Sequence, residues 1–567
     1  MDWNVNPFDV LIDKESLINL SSGEPLNEET TEFLLSSHTI GEEKRKDFVE
    51  KRLHQGEIPV HDPIKKCKFK NFTSVKTKKL TGKSKKTVDV NRDILAKLLS
   101  ISLRKGKTVD FEKALKYPLG DIPLSLANAD GTMRKTNKSS LAKIIMSRME
   151  TEPVPNFSKE KTAFIVDVMA LLRTMTNPPE TFERLAWKFL SYIPKGYYRV
   201  DLVADCYFVN SIKDAERSKR GTSTKITVKS TKSKIPADFT HFLACGENKT
   251  RLLELIFETI SNEKDEVLEM LRSTQVVLSR EGECKMLSVS SNETYDPLFS
   301  TQEEADTKVI AHAIEFLDQD INNNVIIRSP SGDTDIIVLC VALLKRDQVM
   351  IDNGLGKART SIWLGNLELS SSKCAAVLGL HAFSGNDYIS SFFKKGKEKC
   401  WKFLEQFEKF ETCFSNFGTE PTLQDHDFQT LQEYVSLLYG VKAKSVDEAR
   451  LKIFQKKNQR ENKITDLALL PPCTSVLKLH ATRSNAVAYL WRNSANPRIE
   501  FPSIEESGWT HTGEIFWVYD AFPLDVEELL TSEDDSNNSE EEDDNESADS
   551  IEEYELGSDF DSDDELD

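Results

Sequence analysis

Residues 326–340 read IIRSPSGDTDIIVLC, in which two apolar runs flank a turn that carries Asp333 and Asp335. The first run is short and β-branched, which predicts a buried strand, and the second has the pattern of a buried helix. Burying a carboxylate costs several kcal/mol unless the carboxylate is paired or coordinates a metal. The two acids therefore either cap the helix that begins near Ile336 or hold a cation.

The same strand–turn–helix pattern recurs between residues 160 and 410. Short apolar strands occur in KTAFIVDVMALL, YRVDLVADCYF and NNVIIRSP, and helical patterns occur in ADTKVIAHAIEFLDQ and IIVLCVALLKR. This alternation predicts an α/β domain in which helices flank a parallel sheet. A hairpin around Gly354–Gly356 is predicted in VMIDNGLGKARTSIWLG, and the absence of GxxxxGK[ST] argues against a phosphate-binding loop there.

Helical patterns before and after the sheet domain predict N- and C-terminal extensions. Examples are NEETTEFLLSSH and GEEKRKDFVEKRL before it, and LQEYVSLLYG and SVLKLHATRSNAVAYLWR after it. A chain of 567 residues can form two to four domains with hydrophobic cores. The predicted divisions are a helical region (1–90) with a basic linker (65–86), a second helical region (91–159), the sheet domain (160–410), a mostly helical region (411–530) and an acidic tail (533–567).

The net charge of −19 is confined to the C-terminal tail. Residues 533–567 contain 19 acids and no Lys or Arg, whereas the rest of the chain has 74 acids and 74 bases. Because this segment, rich in Ser and Asn, has too little apolar surface to fold, we predict that it is disordered. It is expected to bind a basic protein partner such as a histone, to mimic nucleic acid, or to compete for basic patches of the chain.

The ten lysines of residues 65–86 have no acid among them. This is typical of a nuclear localisation or phosphate-contacting segment, and equally of a solvated linker. Nine scattered cysteines without CxxC or CxxH argue against a zinc ribbon and a disulfide framework and indicate a reducing compartment. No apolar run of about 18 residues is present, and MDWNVNPFDVLIDKE has no features of a secretory signal. We therefore expect an intracellular, nuclear location and no membrane partner.

Seven acids lie where a predicted strand meets a loop or a helix. The carboxyl ends of the strands in an open parallel sheet converge on one crevice, so these carboxylates are expected to lie close together. Divalent cations would relieve their repulsion, and ligands that are all oxygen select Mg²⁺ or Mn²⁺ over Zn²⁺. Each acid also has an ordinary structural role as a helix cap or a turn residue. The seven are Asp167, Asp205, Glu304, Asp306, Asp333, Asp335 and Asp387.

The order of these acids and the motifs around them resemble the flap-endonuclease family of structure-specific nucleases, which have a PIN-like catalytic domain. The resemblance covers residues 160–410 and five motifs, IVDVMALL, VADCYFVNSIKDAERSKR, EEAD, SGDTDII and GNDYISSFFKKGKEKCWKFL. EEAD is similar to the family's Glu-Ala-Glu signature, with Asp306 in place of the second Glu. The whole chain also resembles a group of invertebrate proteins that often occur in many copies, and this second likeness implies no particular activity.

The family resemblance implies a PIN-like, flap-endonuclease-like sheet and an endo- or exonuclease that acts on DNA in preference to RNA. It also implies two Mg²⁺ or Mn²⁺ ions, which on one phosphate would activate water and stabilise the attacking and leaving oxygens. One ion would be bound by Asp167, Asp205, Glu304 and Asp306, and the other by Asp333, Asp335 and Asp387.

Two further sets of residues are implied to contact nucleic acid. The first would steer the scissile phosphate, or would alternatively form a solvated helix face. It comprises Lys213, Arg217, Lys219 and Arg220. The second would contact the duplex backbone without reading its sequence. It comprises Lys394, Lys395, Gly396 and Lys397, although the family's helix-hairpin-helix has a second glycine that this chain lacks.

Two other function classes are considered beside the nuclease. The first is a catalytically inactive nucleic-acid-binding or scaffold protein that retains the PIN-like fold. The second is a phosphatase of the haloacid-dehalogenase type, which is disfavoured because its DxDx[TV] motif is replaced by Asp167-Val-Met after the first strand. Replication is not implied, because the C-terminal segment has no sliding-clamp motif, and the oligomeric state is left open.

Overall fold

The computed structural model describes twelve stretches of the chain. They are residues 28–62, 98, 101–102, 107–120, 122–150, 153–208, 212, 225–344, 346–460, 467–510, 515–518 and 529–531. The basic segment at 65–86, the acidic tail at 533–567 and the four cations Lys213, Arg217, Lys219 and Arg220 lie outside them. Within these stretches, no helix combines the length and the apolar composition that crossing a membrane requires.

The strands are short, and the residues of the parallel ones are almost all buried, as expected for strands that are covered on both faces. In chain order they are β1 Thr108–Val109, β2 Thr162–Asp167, β3 Arg199–Val203, β4 Gln275–Arg280, β5 Glu283–Ser288, β6 Asn292–Thr294, β7 Asn324–Ser329, β8 Val349–Asn353, β9 Thr360–Trp363 and β10 Leu530–Thr531.

Eight of these strands form one mostly parallel sheet, in the order β6-β5-β4-β3-β2-β7-β8-β9. The five strands from β4 to β8 in this order are parallel, and β5, β6 and β9 add antiparallel pairs at the two edges. The chain runs from β2 to β3 on one side and later returns to β7 on the other side of β2. The strand order therefore reverses between β2 and β7, and ligands of open α/β sheets bind at the carboxyl ends of such a pair.

Helices cover both faces of this sheet, which confirms the predicted α/β class. In chain order they are α1 Glu28–Leu35, α2 Ser37–Phe48, α3 Phe111–Ala114, α4 Ser139–Met146, α5 Val168–Arg173, α6 Phe182–Ser191, α7 Phe239–Phe242, α8 Gly246–Asn262, α9 Lys264–Leu271, α10 Ala305–Gln319, α11 Thr334–Leu343, α12 Ser371–Phe383, α13 Lys397–Gln406, α14 Glu408–Asn416, α15 Asp425–Leu438, α16 Val446–Arg460 and α17 Thr474–Arg492.

Alternate residues of the strands point into two different cores, because successive side chains of a strand lie on opposite faces. In β2, Ala163 and Ile165 belong to one core, and Phe164 and Val166 belong to the other. The first core contains α10, α11 and α12, and the second contains α5, α6, α8 and α9. This two-sided burial explains why the strand centres, such as AFIV in β2 and VII in β7, are runs of apolar residues.

Segments on either side of the predicted sheet domain share its first core. Leu141 and Ile145 of α4 are fully buried in that core, and so are Leu477 and Trp491 of α17. A backbone bridge between Met149 and Leu367 also ties the α4 segment to the sheet domain. Residues 122–150 and the C-terminal helices therefore pack into the same core as one face of the sheet.

Two hairpins show what the sequence pattern captures and what it misses. The predicted hairpin is confirmed as β8–β9, where Gly354 has φ +80° and a Cβ atom would lie 2.6 Å from the Ala358 carbonyl oxygen. The pattern does not predict β4, β5 and β6, which extend the sheet at its other edge. Their polar residues interrupt the apolar run, and only the turn at Gly282 marks the β4–β5 hairpin.

Gly379 of α12 provides a test of the packing between α12 and α14. A Cβ atom at this position would overlap the carbonyl oxygen of Phe414. Alanine normally stabilises a helix relative to glycine, but here Gly379→Ala is expected to lower the free energy of unfolding by about 1–3 kcal/mol because of overpacking. Gly41→Ala in α2, where a Cβ atom meets nothing within 4 Å, is the matched control and should cause no loss. Equal urea-unfolding midpoints for Gly379→Ala and the wild type would contradict this packing.

Candidate acidic site at the carboxyl edge of the sheet

The acids predicted from the sequence lie at the carboxyl ends of the strands and at the starts of the following helices. Asp167 is the last residue of β2, and its Oδ1 accepts hydrogen bonds from the backbone N–H groups of Met169 (2.8 Å) and Ala170 (3.1 Å). Asp333 precedes α11, and its Oδ1 accepts a hydrogen bond from Asp335 N at 3.0 Å. The predicted capping role of Asp333 is therefore confirmed, and Asp167 caps the helix that follows it in the same way. Both carboxylates remain at the edge of the sheet.

Three carboxylates form one close cluster. One oxygen from each of Asp306, Asp333 and Asp335 lies within 4.8 Å of the others. This spacing allows the three oxygens to surround one cation, since carboxylate oxygens bind Mg²⁺ and Ca²⁺ at about 2.0–2.6 Å. The donor set is all oxygen, which suits Mg²⁺ or Mn²⁺ better than a softer metal. We call Asp306, Asp333 and Asp335 the acidic triad.

The turn between β7 and α11 brings two members of this triad to the edge. Gly332, with φ +70°, turns the chain in a conformation that other residues rarely adopt. Ser329 Oγ accepts a hydrogen bond from Asp333 N at 2.9 Å, which holds the turn against the end of β7. The helix that follows begins at Thr334, so Asp335 lies in its first turn and is only 7% exposed.

The third member, Asp306, is positioned by contacts between α10 and the end of β3. Asp205 Oδ1 accepts a hydrogen bond from Ala305 N at 2.9 Å. The buried Lys308 donates through Nζ to the Ala204 carbonyl oxygen, also at 2.9 Å. These two bonds fix the first turn of α10 against the strand end, and this first turn carries Asp306. Glu304, which immediately precedes the helix, is 6% exposed.

Asp167 and Asp205 form a second acidic pair at the same edge. Burial and then the nearby charge of Asp205 raise the pKa of Asp167 to about 7, although the hydrogen bonds from Ala170 and Met169 act in the opposite direction. Both acids are half-buried. An elevated carboxyl pKa in a crevice is a feature of functional sites, although structural clusters also produce it.

Lys138 connects Asp335 with Asp387. Its Nζ lies 3.0 Å from Asp335 Oδ2 and 3.1 Å from Asp387 Oδ1. Lys138 precedes α4 and so belongs to the segment before the predicted sheet domain. No sequence motif identifies Lys138 as part of the site, because 197 positions separate it from Asp335 in the chain. Sequence reasoning therefore misses a cation that lies at the centre of the candidate site.

Two buried groups support Asp335 from the other side. His381 Nε2 lies 2.8 Å from Asp335 Oδ1, and Lys397 Nζ lies 2.9 Å from His381 Nδ1. Lys397 Nζ also donates to the His381 carbonyl oxygen at 3.0 Å and to Ser384 Oγ at 2.9 Å. Since Lys397 donates to Nδ1, the Nε2–H group of His381 is assigned as the donor to Asp335. The chain Lys397–His381–Asp335 is called the buried relay below.

Burial and charge act on each member of this relay. Burial lowers the pKa of Lys397 to about 7. Burial, together with the charge of Lys397, lowers the pKa of His381 to about 4, so the imidazole is neutral near pH 7. Burial opposes ionisation of Asp335, but His381 and Lys138 outweigh it and hold the pKa of Asp335 well below its ordinary value. Asp335 is therefore an oriented carboxylate at neutral pH.

The structure separates the cations that the sequence groups together. The predicted contact between Lys397 and a duplex backbone is contradicted, because the Lys397 side chain is fully buried and its three hydrogen bonds go to His381 and Ser384. Lys394 is exposed, and Lys395 is half-buried with Nζ 4.8 Å from the centroid of the Tyr439 ring. For these two residues and for the exposed Gly396, the contact with nucleic acid stays a prediction.

The seven acids are thus brought together only in part. Asp335 of the triad pairs with Lys138, which also pairs with Asp387. At the adjacent strand ends, the charge of Asp205 raises the pKa of Asp167. Their division between two metal ions stays a prediction.

The elevated pKa of Asp167 predicts a pH dependence of the metal-free protein. A folded-state pKa of about 7 against an ordinary value of 3.8 means that the folded state binds this proton more tightly, so stability falls as the pH rises through 7. Asp167→Asn keeps the capping oxygen and removes the charge. Relative to the wild type, the free energy of unfolding of Asp167→Asn should rise by roughly 1–2 kcal/mol between about pH 5 and pH 8. This change is smaller than the full value of about 1.36 kcal/mol per pKa unit, because Asp167 is partly exposed.

The comparison is made by urea unfolding in EDTA at both pH values. Asp265→Asn, at an acid in the first turn of α9 whose side chain is 83% exposed, is the matched control and should follow the wild type. Parallel stability curves for Asp167→Asn and the wild type would contradict the elevated pKa.

Lys397 provides a test of the buried relay. Lys397→Met leaves His381 Nδ1 and Ser384 Oγ without their donor, and the free energy of unfolding is expected to fall by about 1–3 kcal/mol. Lys394→Met, at the exposed neighbour in the same basic run, should leave it unchanged. Weakened binding to duplex DNA by Lys397→Met without any loss of stability would instead support the contact predicted from the sequence.

Neither the models of known protein families nor the curated proteins provide a match to this chain. The acidic triad and its supporting residues are therefore the observations from which a function can be inferred.

Proposed function

We propose that the chain is a divalent-metal-dependent nuclease that hydrolyses phosphodiester bonds of DNA or RNA. The observation that supports this most directly is the acidic triad at the carboxyl edge of the sheet. Two of its members follow β7, one of the two strands between which the strand order reverses. A crevice at that point is where open α/β sheets bind their ligands.

The finer fold assignment is part of the same proposal. We propose a PIN-like, flap-endonuclease-like domain for residues 160–410. Asp167 ends the first strand of this region, and Asp333 and Asp335 occupy a strand-to-helix turn, as the family resemblance implies. Glu304 and Asp306 lie at the start of α10, where the resemblance expects acidic ligands.

The residues of the triad fit a single Mg²⁺ or Mn²⁺ ion. A bound ion of this kind lowers the pKa of water and neutralises negative charge on a phosphate. Asp333 uses Oδ1 to cap α11 and has a second oxygen available as a ligand. Asp335 is oriented by His381 and Lys138, and each of its oxygens has a further lone pair. The chain's own contribution is thus to fix the positions of three carboxylates before substrate binds.

A basic surface near the loop that follows Asp387 supports a nucleic-acid substrate. Arg134 lies over the Phe393 ring, with its guanidinium carbon 4.3 Å from the ring centroid, and Lys135 and Lys394 are exposed. Ser391 N donates to the Arg134 carbonyl oxygen at 2.9 Å, which joins this segment to the loop that follows Asp387. Cations placed in this way would contact phosphates without reading the base sequence.

A second candidate function is a catalytically inactive nucleic-acid-binding protein with the same fold. It is favoured by the charge compensation around Asp335, since Lys138 and His381 stabilise this carboxylate without any metal ion. The two candidates share the basic surface and differ in the chemistry of the triad.

The test uses the full chain with flap, hairpin and single-stranded DNA substrates and with RNA, each in Mg²⁺, in Mn²⁺ and in EDTA. Asp333→Asn/Asp335→Asn is expected to lower the cleavage rate by more than about 100-fold. Substitution of residues that only hydrogen-bond to metal ligands already lowers metal affinity or activity by about 10–100-fold, and these two acids would be ligands themselves. Asp265→Asn is the matched control and should cleave at the wild-type rate.

Unchanged cleavage by the double variant would overturn the proposed site. Binding of these substrates by the wild type without cleavage of any of them would support the inactive nucleic-acid-binding protein instead. Urea unfolding of each variant establishes that a lost activity is not a lost fold.

A further inference from the structure

Lys138 enters the acidic site from outside the sheet and lies between two of its carboxylates. Its Nζ is 3.0 Å from Asp335 Oδ2 and 3.1 Å from Asp387 Oδ1, and three-quarters of its side chain is buried. Both distances are those of charge-assisted hydrogen bonds. The ammonium group therefore occupies the space between the two carboxylates.

This position is incompatible with the second metal ion that the family resemblance implies. That ion would be bound by Asp333, Asp335 and Asp387. Carboxylate oxygens lie about 2.0–2.6 Å from a bound Mg²⁺ or Ca²⁺. An ion that bridges Asp335 and Asp387 would therefore occupy the place of Lys138 Nζ. The residues present do not fit a second divalent cation there.

We infer that Lys138 takes the place of the second metal ion, so that the site holds one divalent cation on the acidic triad and one lysine ammonium. This inference depends on the proposed function, because it assumes that the triad binds an ion. It changes the expected stoichiometry from two ions per chain to one. It also assigns a functional role to a residue outside the predicted nuclease domain.

The lysine is held in place by the fold. Lys138 directly precedes α4, whose residues Leu141 and Ile145 are buried in the first core. On the other side of Asp335, His381 holds the second carboxylate oxygen. Asp335 is therefore fixed between two donors, and the position of the ammonium group is set by packed elements on both sides.

A lysine has a different chemistry from a second ion. Its ammonium carries one positive charge, donates three hydrogen bonds and is attached to a flexible stem. Two of those bonds go to Asp335 and Asp387, and the third can be directed at a phosphate oxygen of a bound substrate. The site would thus stabilise negative charge on the phosphate while requiring only one metal ion from solution.

The test measures Mn²⁺ binding to the full chain by titration followed with electron paramagnetic resonance. Asp333→Asn/Asp335→Asn provides the baseline, because the remaining acids of the chain, the acidic tail included, also bind Mn²⁺ weakly. Above this baseline the wild type is expected to bind one ion. Lys138→Met, which removes the charge and retains much of the volume, should bind two. Two ions that share the Asp335 carboxylate should also show a spin-coupled spectrum.

Two further variants keep the result specific. Lys138→Arg retains a cation between the carboxylates and should bind one ion, and Lys138→Met/Asp387→Asn should return from two ions to one. Thermal unfolding of each variant shows whether it is folded.

The inference and the proposed function fail in different ways. Two spin-coupled ions in the wild type would overturn the role of Lys138 and leave the metal-dependent function standing. A single ion in Lys138→Met would also overturn that role. No ion above the baseline in the wild type would overturn the metal-dependent function and, with it, this inference.

Discussion

The charge of Asp335 is the constraint on which the site and much of its surroundings depend. This acid lies in the first turn of a helix that is buried on nearly every side, and only 7% of the residue is exposed. A buried carboxylate is tolerated only when it is paired and hydrogen-bonded. Here α12 contributes His381, the start of α13 contributes Lys397, and the segment before α4 contributes Lys138. One carboxylate thus joins α12 and, through His381, the start of α13 to the segment before α4, which lies far from both in the sequence.

A second buried charge network positions Asp306, the third member of the triad. Arg199 in β3 forms two hydrogen bonds of 2.7 Å with Asp201 and one of 2.6 Å with Glu315 of α10. His312, also in α10, lies 2.7 Å from Asp201. Because all four groups connect β3 with α10, they orient the helix whose first turn carries Asp306. The triad is therefore supported by two networks, one at each of the helices that provide its carboxylates.

The sheet topology and these networks together explain why the site includes residues outside the predicted catalytic domain. Carboxyl ends of parallel strands meet at one edge, so the acids of β2, β3 and β7 lie there for a topological reason. Lys138, the cation that pairs with Asp335 and Asp387, comes from the segment before α4. A domain boundary drawn from strand–helix alternation therefore includes the acids and excludes Lys138. That excluded segment provides the positive charge that compensates Asp335 and Asp387.

The sequence by itself determined the α/β class, the central strands β2, β3 and β7, the helices α10, α11 and α17, and the placement of acids at strand ends. These features follow from local periodicity and from the rule that parallel strand ends converge. Strands β4, β5 and β6, which lie beyond β3 in the sheet, were not accessible in this way, since polar residues interrupt their apolar pattern. Only the tertiary structure decided which lysines face the solvent and which support the site. Lys394 and Lys397 are lysines of the same short basic run, and their sequence context does not distinguish them. The fold buries Lys397 against His381 and leaves Lys394 exposed. Lys138 meets Asp335 across 197 residues, and a contact of that separation depends on how the layers pack rather than on any local pattern.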